Sequence, residues 1–172
     1  MPVISIRPAT TEDDGALRRI DVETWSPAVT PAPARADDAP FFDERSTPDD
    51  VVVAELDGAV VGYALVHQVI GLPSHAHVLE LGIAVLPGHQ GAGLGRALLG
   101  AAVESARSRG ARKLSLRVLG GNARARHLYE SCGFIVEGVL RGEFHLDGED
   151  VDDVLMALRL EQQGPQGHLA GS

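Results

Sequence analysis

"LPGHQGAGLG", from Leu86 to Gly95, puts four glycines into ten residues and opens directly onto "RALLGAAVESA", whose apolar spacing predicts a helix. Inside a helix, glycine is about 0.5–1 kcal/mol less favourable than alanine, so a glycine-rich entrance must serve something the backbone does there. The first N–H groups of a helix have no internal partner, and the aligned peptide dipoles place roughly half a positive charge beside them. With no Cβ atoms in the way, phosphate oxygens can approach those groups. Gly91, Gly93 and Gly95 therefore read as clearing room for a diphosphate.

Outward from this loop the chain alternates strands and helices. "HAHVLELGIAVLP" reads as the strand that enters the loop, stopped by Pro87. The helix runs from about Gly91 to Arg109, with Leu94, Ala97, Leu98, Ala101 and Ser105 at helical spacing and Gly110 closing it. Upstream, Val3 to Ala9 alternates like an edge strand, and a helix follows with a cap at Thr10 or Thr11. "DVVVAELDGAVVGYALVHQVI" reads as a hairpin turning at Asp57 and Gly58. Downstream come the strand "RKLSLRVLG", a helix capped by Asn122, and a last hairpin turning at Asp147 and Gly148. Residues 26–50, rich in Pro, Ala and Asp, read as a long surface segment with at most one short helix, docked on the core by Phe41 and Phe42. Residues 1–161 are expected to form one domain and 162–172 a disordered tail.

Composition narrows the classes. The net charge is −9, yet residues 91–126 carry 8 basic and 1 acidic groups, a net +7 that begins at the glycine loop. A phosphorylated ligand would feel that stretch, whereas the acidic remainder argues against nucleic acid and suits a cationic small substrate. No run of about 18 apolar residues exists, and the N-terminus is too short and too weakly basic for a signal peptide. A cytoplasmic protein with no membrane contact is expected. The lone Cys132 reads as a small apolar residue at a helix end. His75 and His77 are expected on one strand face, but two ligands without a third predict no metal site.

Spacing decides among phosphate loops. A P-loop needs Gly-Lys followed by Ser or Thr, and the chain has no Gly-Lys pair; a dinucleotide fingerprint needs a third glycine where Leu98 stands. What remains is Q-x-x-G-x-G at Gln90, Gly93 and Gly95, followed about 30 residues later by "GNARARHLYESCGF". These two segments, in this order, resemble those of the GNAT superfamily of acyl-CoA-dependent N-acyltransferases. That resemblance implies an α/β (α+β) fold: a central mixed, mostly antiparallel sheet of about seven strands, flanked by helices and splayed between the fourth and fifth.

It also implies acetyl-CoA as co-substrate, with no metal, and direct acetyl transfer to a primary amine of a small molecule, amino acid or peptide N-terminus. A homodimer is compatible with it. By the same resemblance the loop, Gln90, Gly91, Ala92, Gly93, Leu94, Gly95 and Arg96, would bind the diphosphate, and Ile83, Ala84 and Val85 would pair with the pantetheine arm. Ile83 or Val85 would polarise the thioester through its N–H, the choice being open. Asn122 would contact the cofactor end, and the Tyr129 hydroxyl the departing sulfur; alternatively Tyr129 is a core ring. Glu80 is either the base, acting directly or through water, or a solvent-facing strand residue. Arg141, Glu143, Asp150, Asp152 and Asp153 of the last hairpin would shape the acceptor mouth. A non-catalytic acyl-CoA-binding or sensing module on the same fold is the alternative, and the acyl group itself is not readable.

Overall fold

Two Asp-Gly pairs set the sheet. Asp57 (φ 50°) with Gly58 (φ 82°), and Asp147 (φ 51°) with Gly148 (φ 82°), both take the left-handed backbone that a two-residue hairpin requires. The computed structural model describes residues 2–36 and 38–161, so the expected tail at 162–172 lies outside the described residues. In chain order the elements are β1 (Ile4–Pro8), α1 (Asp14–Thr24), β2 (Val51–Leu56), β3 (Ala59–His67), β4 (Val78–Val85), α2 (Leu94–Ser108), β5 (Lys113–Leu119), α3 (Ala123–Ser131), β6 (Ile135–Leu146) and β7 (Glu149–Arg159).

Seven strands form one mixed, mostly antiparallel sheet, as expected; their order is β1-β2-β3-β4-β5-β7-β6, with every neighbour antiparallel except β4 and β5. The parallel pair is brief: Val78, Leu79 and Glu80 face Lys113, Leu114 and Ser115, and pairing then stops. Beyond it β4 continues against β3 to Val85, and β5 against β7 to Leu119. The two strands thus part company after Glu80, which leaves one edge of Leu81–Val85 unpaired inside the sheet.

Three elements differ from expectation. Helix α2 begins at Leu94, because Gly91 and Gly93 both adopt positive φ and cannot be helical. Its buried stripe is Leu94, Leu98, Ala102 and Ala106 with Leu99, while Ala97, Ala101 and Ser105 lie at its margin. The stripe runs at strict i, i+4 spacing, and its three buried leucines each contribute about 1.5–3 kcal/mol through burial. His75 ends a 3-10 turn (Pro73–His75) and His77 lies in the turn before β4, so the two do not share a strand face; their ring centroids are 6.4 Å apart. At the start of the chain Thr10 and Asp13 form a capping box on a 3-10 turn (Thr11–Asp13), and α1 follows from Asp14.

The 26–50 segment is held down from several points. Asp14 Oδ1 accepts the N–H groups of Phe41 (2.8 Å) and Phe42 (3.2 Å), and Trp25 Nε1 donates to Ala32 O at 2.9 Å. Phe41 is buried, with its ring edge-on to Tyr63 at 5.0 Å, so the pair does dock the segment on the core. No described helix is long and apolar enough to cross a membrane.

Candidate active site

The opening left by the β4/β5 splay is part of a cleft of about 1160 Å³, lined by Leu81–Val85, the glycine loop, α3, and the end of α1 with the segment that follows it. At its base the loop is built for its backbone. Gly91 (φ 87°) and Gly93 (φ 82°) are left-handed, Gly93 is the N-cap of α2, and the first helical bond is Ala97 N to Gly93 O. The N–H groups of Gly91, Gly93, Leu94, Gly95 and Arg96 have no partner among the described residues. They lie together at the positive end of a fifteen-residue helix, a donor set that an anion fits.

The loop residues divide by role. Gln90 Nε2 donates to Val85 O at 3.1 Å, tying the loop back to the end of its strand. Gly95, read as room for phosphate, has a packing role as well: a Cβ there would come within 3.1 Å of Leu128 Cδ2, so this glycine admits α3 against α2. Arg96 Nη2 donates to Ser131 Oγ at 2.9 Å, bridging the same two helices at the cleft. Arg124, which the sequence reading left among the unassigned basic residues, overhangs the loop: its Nη2 stands 3.8 Å from where a Cβ on Gly91 would lie. It makes no ion pair among the described residues.

Asn122 caps α3, its Oδ1 accepting from Ala125 N at 3.2 Å, and lines the cleft with Tyr129. Tyr129 is 7 % exposed and packs against Phe134 with ring centroids 5.9 Å apart. Burial pushes its phenol up to about 12, and the hydroxyl has no hydrogen-bond partner among the described residues. It is thus both a core ring and a free donor facing the cleft.

Glu80 is not gathered with these groups. It lines a smaller recess, about 270 Å³, with His75, Ser115 and Glu137. The two openings share Arg117, whose Nε donates to Asp153 Oδ2 at 2.6 Å; Asp153 is 1 % exposed. Alternation along β4 puts Glu80, Gly82 and Ala84 on one face, and a Cβ on Gly82 would meet nothing within 4 Å. Of the last hairpin, Arg141 and Asp152 pair with each other at 2.6 Å, and Asp153 is committed to Arg117; none of the five residues named from sequence lines the cleft.

Beside the end of β4 that enters the loop, where Tyr63 is the register partner of Ala84, stands a group that sequence reasoning missed. Asp21 Oδ1 accepts from Tyr63 Oη at 2.5 Å and its Oδ2 from Arg35 Nε at 2.7 Å. Burial and the Asp21 charge hold the Tyr63 phenol well above its usual range. Among the described residues the cleft lining carries four arginines, Arg35, Arg96, Arg117 and Arg124, against the single carboxylate of Asp21. Overall acidity therefore misleads about the site: the charge a ligand meets is positive. Among the described residues no group of three or more His, Cys, Asp or Glu is arranged to hold a metal ion.

Comparison with known proteins gives the arrangement its context. L-amino acid N-acyltransferase MnaT of Escherichia coli is 32 % identical over 113 residues, 66 % of each chain, so the match spans just under two thirds of that relative. A protein from Streptococcus mutans superposes with a TM-score of 0.82 at 28 % identity, covering 91 % of this chain and 99 % of the other. The Salmonella typhimurium protein yncA, solved with its cofactor acetyl-CoA, superposes with a TM-score of 0.79 at 25 % identity, covering 94 % and 96 %. Residues 15–134, which hold the splayed strand, the loop and both flanking helices, match the sequence profile of the acetyltransferase (GNAT) family, and this chain belongs to that family.

Proposed function

We propose that the protein is an N-acetyltransferase that moves the acetyl group of acetyl-CoA directly to a primary amine, with both substrates bound together. The observation that carries this is the row of unpaired amides from Gly91 to Arg96, set at the end of a strand whose inner edge is also unpaired. That donor set fits a diphosphate followed by an amide-bearing arm: the amides with Arg96 and Arg124 take the phosphates, and the edge of Leu81–Val85 takes the arm as an added strand. Bound there, acetyl-CoA supplies an activated thioester. The N–H of Ile83 or of Val85 faces the charge that grows on the acyl oxygen. The Tyr129 hydroxyl donates to the sulfur as it leaves, and Glu80 accepts the amine proton, directly or through a water above Gly82. The acceptor is a small molecule, an amino acid or a peptide N-terminus, and the setting is the cytoplasm.

Acetyl-CoA at 100 times its dissociation constant is expected to stabilise the protein by about 2.7 kcal/mol, read as a thermal shift. A screen of amino acids, polyamines, aminoglycosides and peptides, followed by thiol release, should then find an acceptor. Absence of a shift ends the cofactor assignment, and a shift without turnover of any amine marks a sensing module instead. Glu80→Gln should lower kcat/KM for the best acceptor about 100-fold at pH 7 and alter its pH profile once the fraction of neutral amine is corrected for. An unaltered profile would assign the base elsewhere.

A further inference from the structure

We propose that Arg35 is the anchor for an oxyanion on the acceptor, and that the accepted amine is therefore an α-amino acid, or a close analogue, with a compact apolar side chain. This rests on the transferase reading and narrows it. Arg35 is held on three sides: Nε donates to Asp21 Oδ2 at 2.7 Å, Nη1 donates to Pro40 O at 2.8 Å, and the guanidinium lies 5.2 Å from the centroid of the Phe41 ring. Its Nη2 has no partner among the described residues, and the side chain lines the cleft. A guanidinium fixed in this way, with donors left over, has already lost the freedom that binding a carboxylate would otherwise remove.

The same cluster is tied to the strand that would carry the thioester. Asp21 also holds Tyr63, and Tyr63 is the register partner of Ala84 on β4. On that face β4 presents glycine at 82 and alanine at 84, the smallest residues available, so space for an amine is left between anchor and strand. Trp25 and Val29, 40 % and 46 % exposed, line the cleft with Ala32 and Pro33 and offer an apolar wall to a side chain. A polycation meets the opposite: the one carboxylate among the described lining residues, Asp21, is already taken by Arg35 and Tyr63.

The test pairs each apolar L-amino acid with the amine left when its carboxylate is removed, adds spermidine, and compares kcat/KM after correction for the fraction of neutral amine. The wild type should prefer the amino acids at least 100-fold. Arg35→Ala should raise their KM at least 30-fold with little change in kcat. The same variant should alter kcat/KM for the matched amines less than threefold and leave the acetyl-CoA thermal shift intact; Arg35→Lys should recover part of the loss. Should Arg35→Ala fail to fold, Arg35→Gln, which keeps a donor to Asp21, carries the same comparison. Equal use of amines and amino acids by the wild type, or equal losses for both in the variant, overturns the anchor while leaving the transferase reading standing. Turnover of no amine at all overturns both.

Discussion

Acetyl-CoA is expected to bind a Gly91→Ala/Gly93→Ala double variant about 30- to 1000-fold more weakly than the wild type. Both glycines hold left-handed backbone, φ 87° and 82°, which an L-residue adopts at roughly 1–2 kcal/mol each. A Cβ at Gly93 would meet nothing within 4 Å and one at Gly91 only the end of Arg124, so crowding is not the main obstacle. The loop relieves the strain by rotating out of the left-handed region, and that rotation turns the amides away from the anion. Together the two positions supply about 2–4 kcal/mol of bias against the binding geometry, which at 1.4 kcal/mol per tenfold gives the stated range. Gly88→Ala is the control: its φ of 88° imposes the same strain two residues before Gln90, outside the cleft lining. That variant should lose stability but keep its affinity in calorimetric titration. Equal affinities for the double variant and the wild type would mean that the amides of this loop are not the phosphate site.

The two roles of glycine in this loop also show what a single sequence can and cannot disclose. Spacing alone located the unpaired amides, because open N–H groups at a helix start follow from local geometry. It could not tell that Gly95 serves packing, since Leu128 lies 33 residues further on and meets it only through the α2–α3 contact. The hairpins at Asp57-Gly58 and Asp147-Gly148 were legible for a local reason as well: only a few residue types tolerate positive φ at both turn positions. The cluster of Asp21, Tyr63 and Arg35 was not. Tyr63 reaches Asp21 across 42 residues and Arg35 reaches it across 14, within a segment whose proline and alanine content suggested only a surface loop. Net charge misled for a related reason, because a sum over the chain does not say which side chains face the cleft. The succession of strands and helices along the chain was legible, whereas the place of β7 between β5 and β6 was not, because it is set by pairing between strands. Glu80 lies between these cases: its strand was placed correctly, yet it opens on a neighbouring recess rather than on the cleft with Tyr129.

Tyr129→Phe is expected to lower kcat by about 100-fold or more and to leave acetyl-CoA affinity unchanged within a factor of about two. Phenylalanine keeps the ring against Phe134, and the hydroxyl it removes has no partner among the described residues, so folding has little to lose. What disappears is the donor that meets the departing sulfur. With the phenol pushed up to about 12 and a reference thiol near 8.5, full proton transfer to the thiolate would be uphill by about 5 kcal/mol. In the proposed reaction Tyr129 therefore serves as a neutral hydrogen-bond donor to growing negative charge, not as an acid that ionises. The sign of the pH dependence follows: the residue stays protonated, and its contribution stays constant, from neutral pH up to about 11, where the phenol begins to ionise. A basic limb below pH 10 must then belong to another group and should persist in Tyr129→Phe at reduced amplitude. If kcat instead survives the substitution with every accepted amine, the free hydroxyl in the cleft is a consequence of core packing, and some other donor must meet the sulfur.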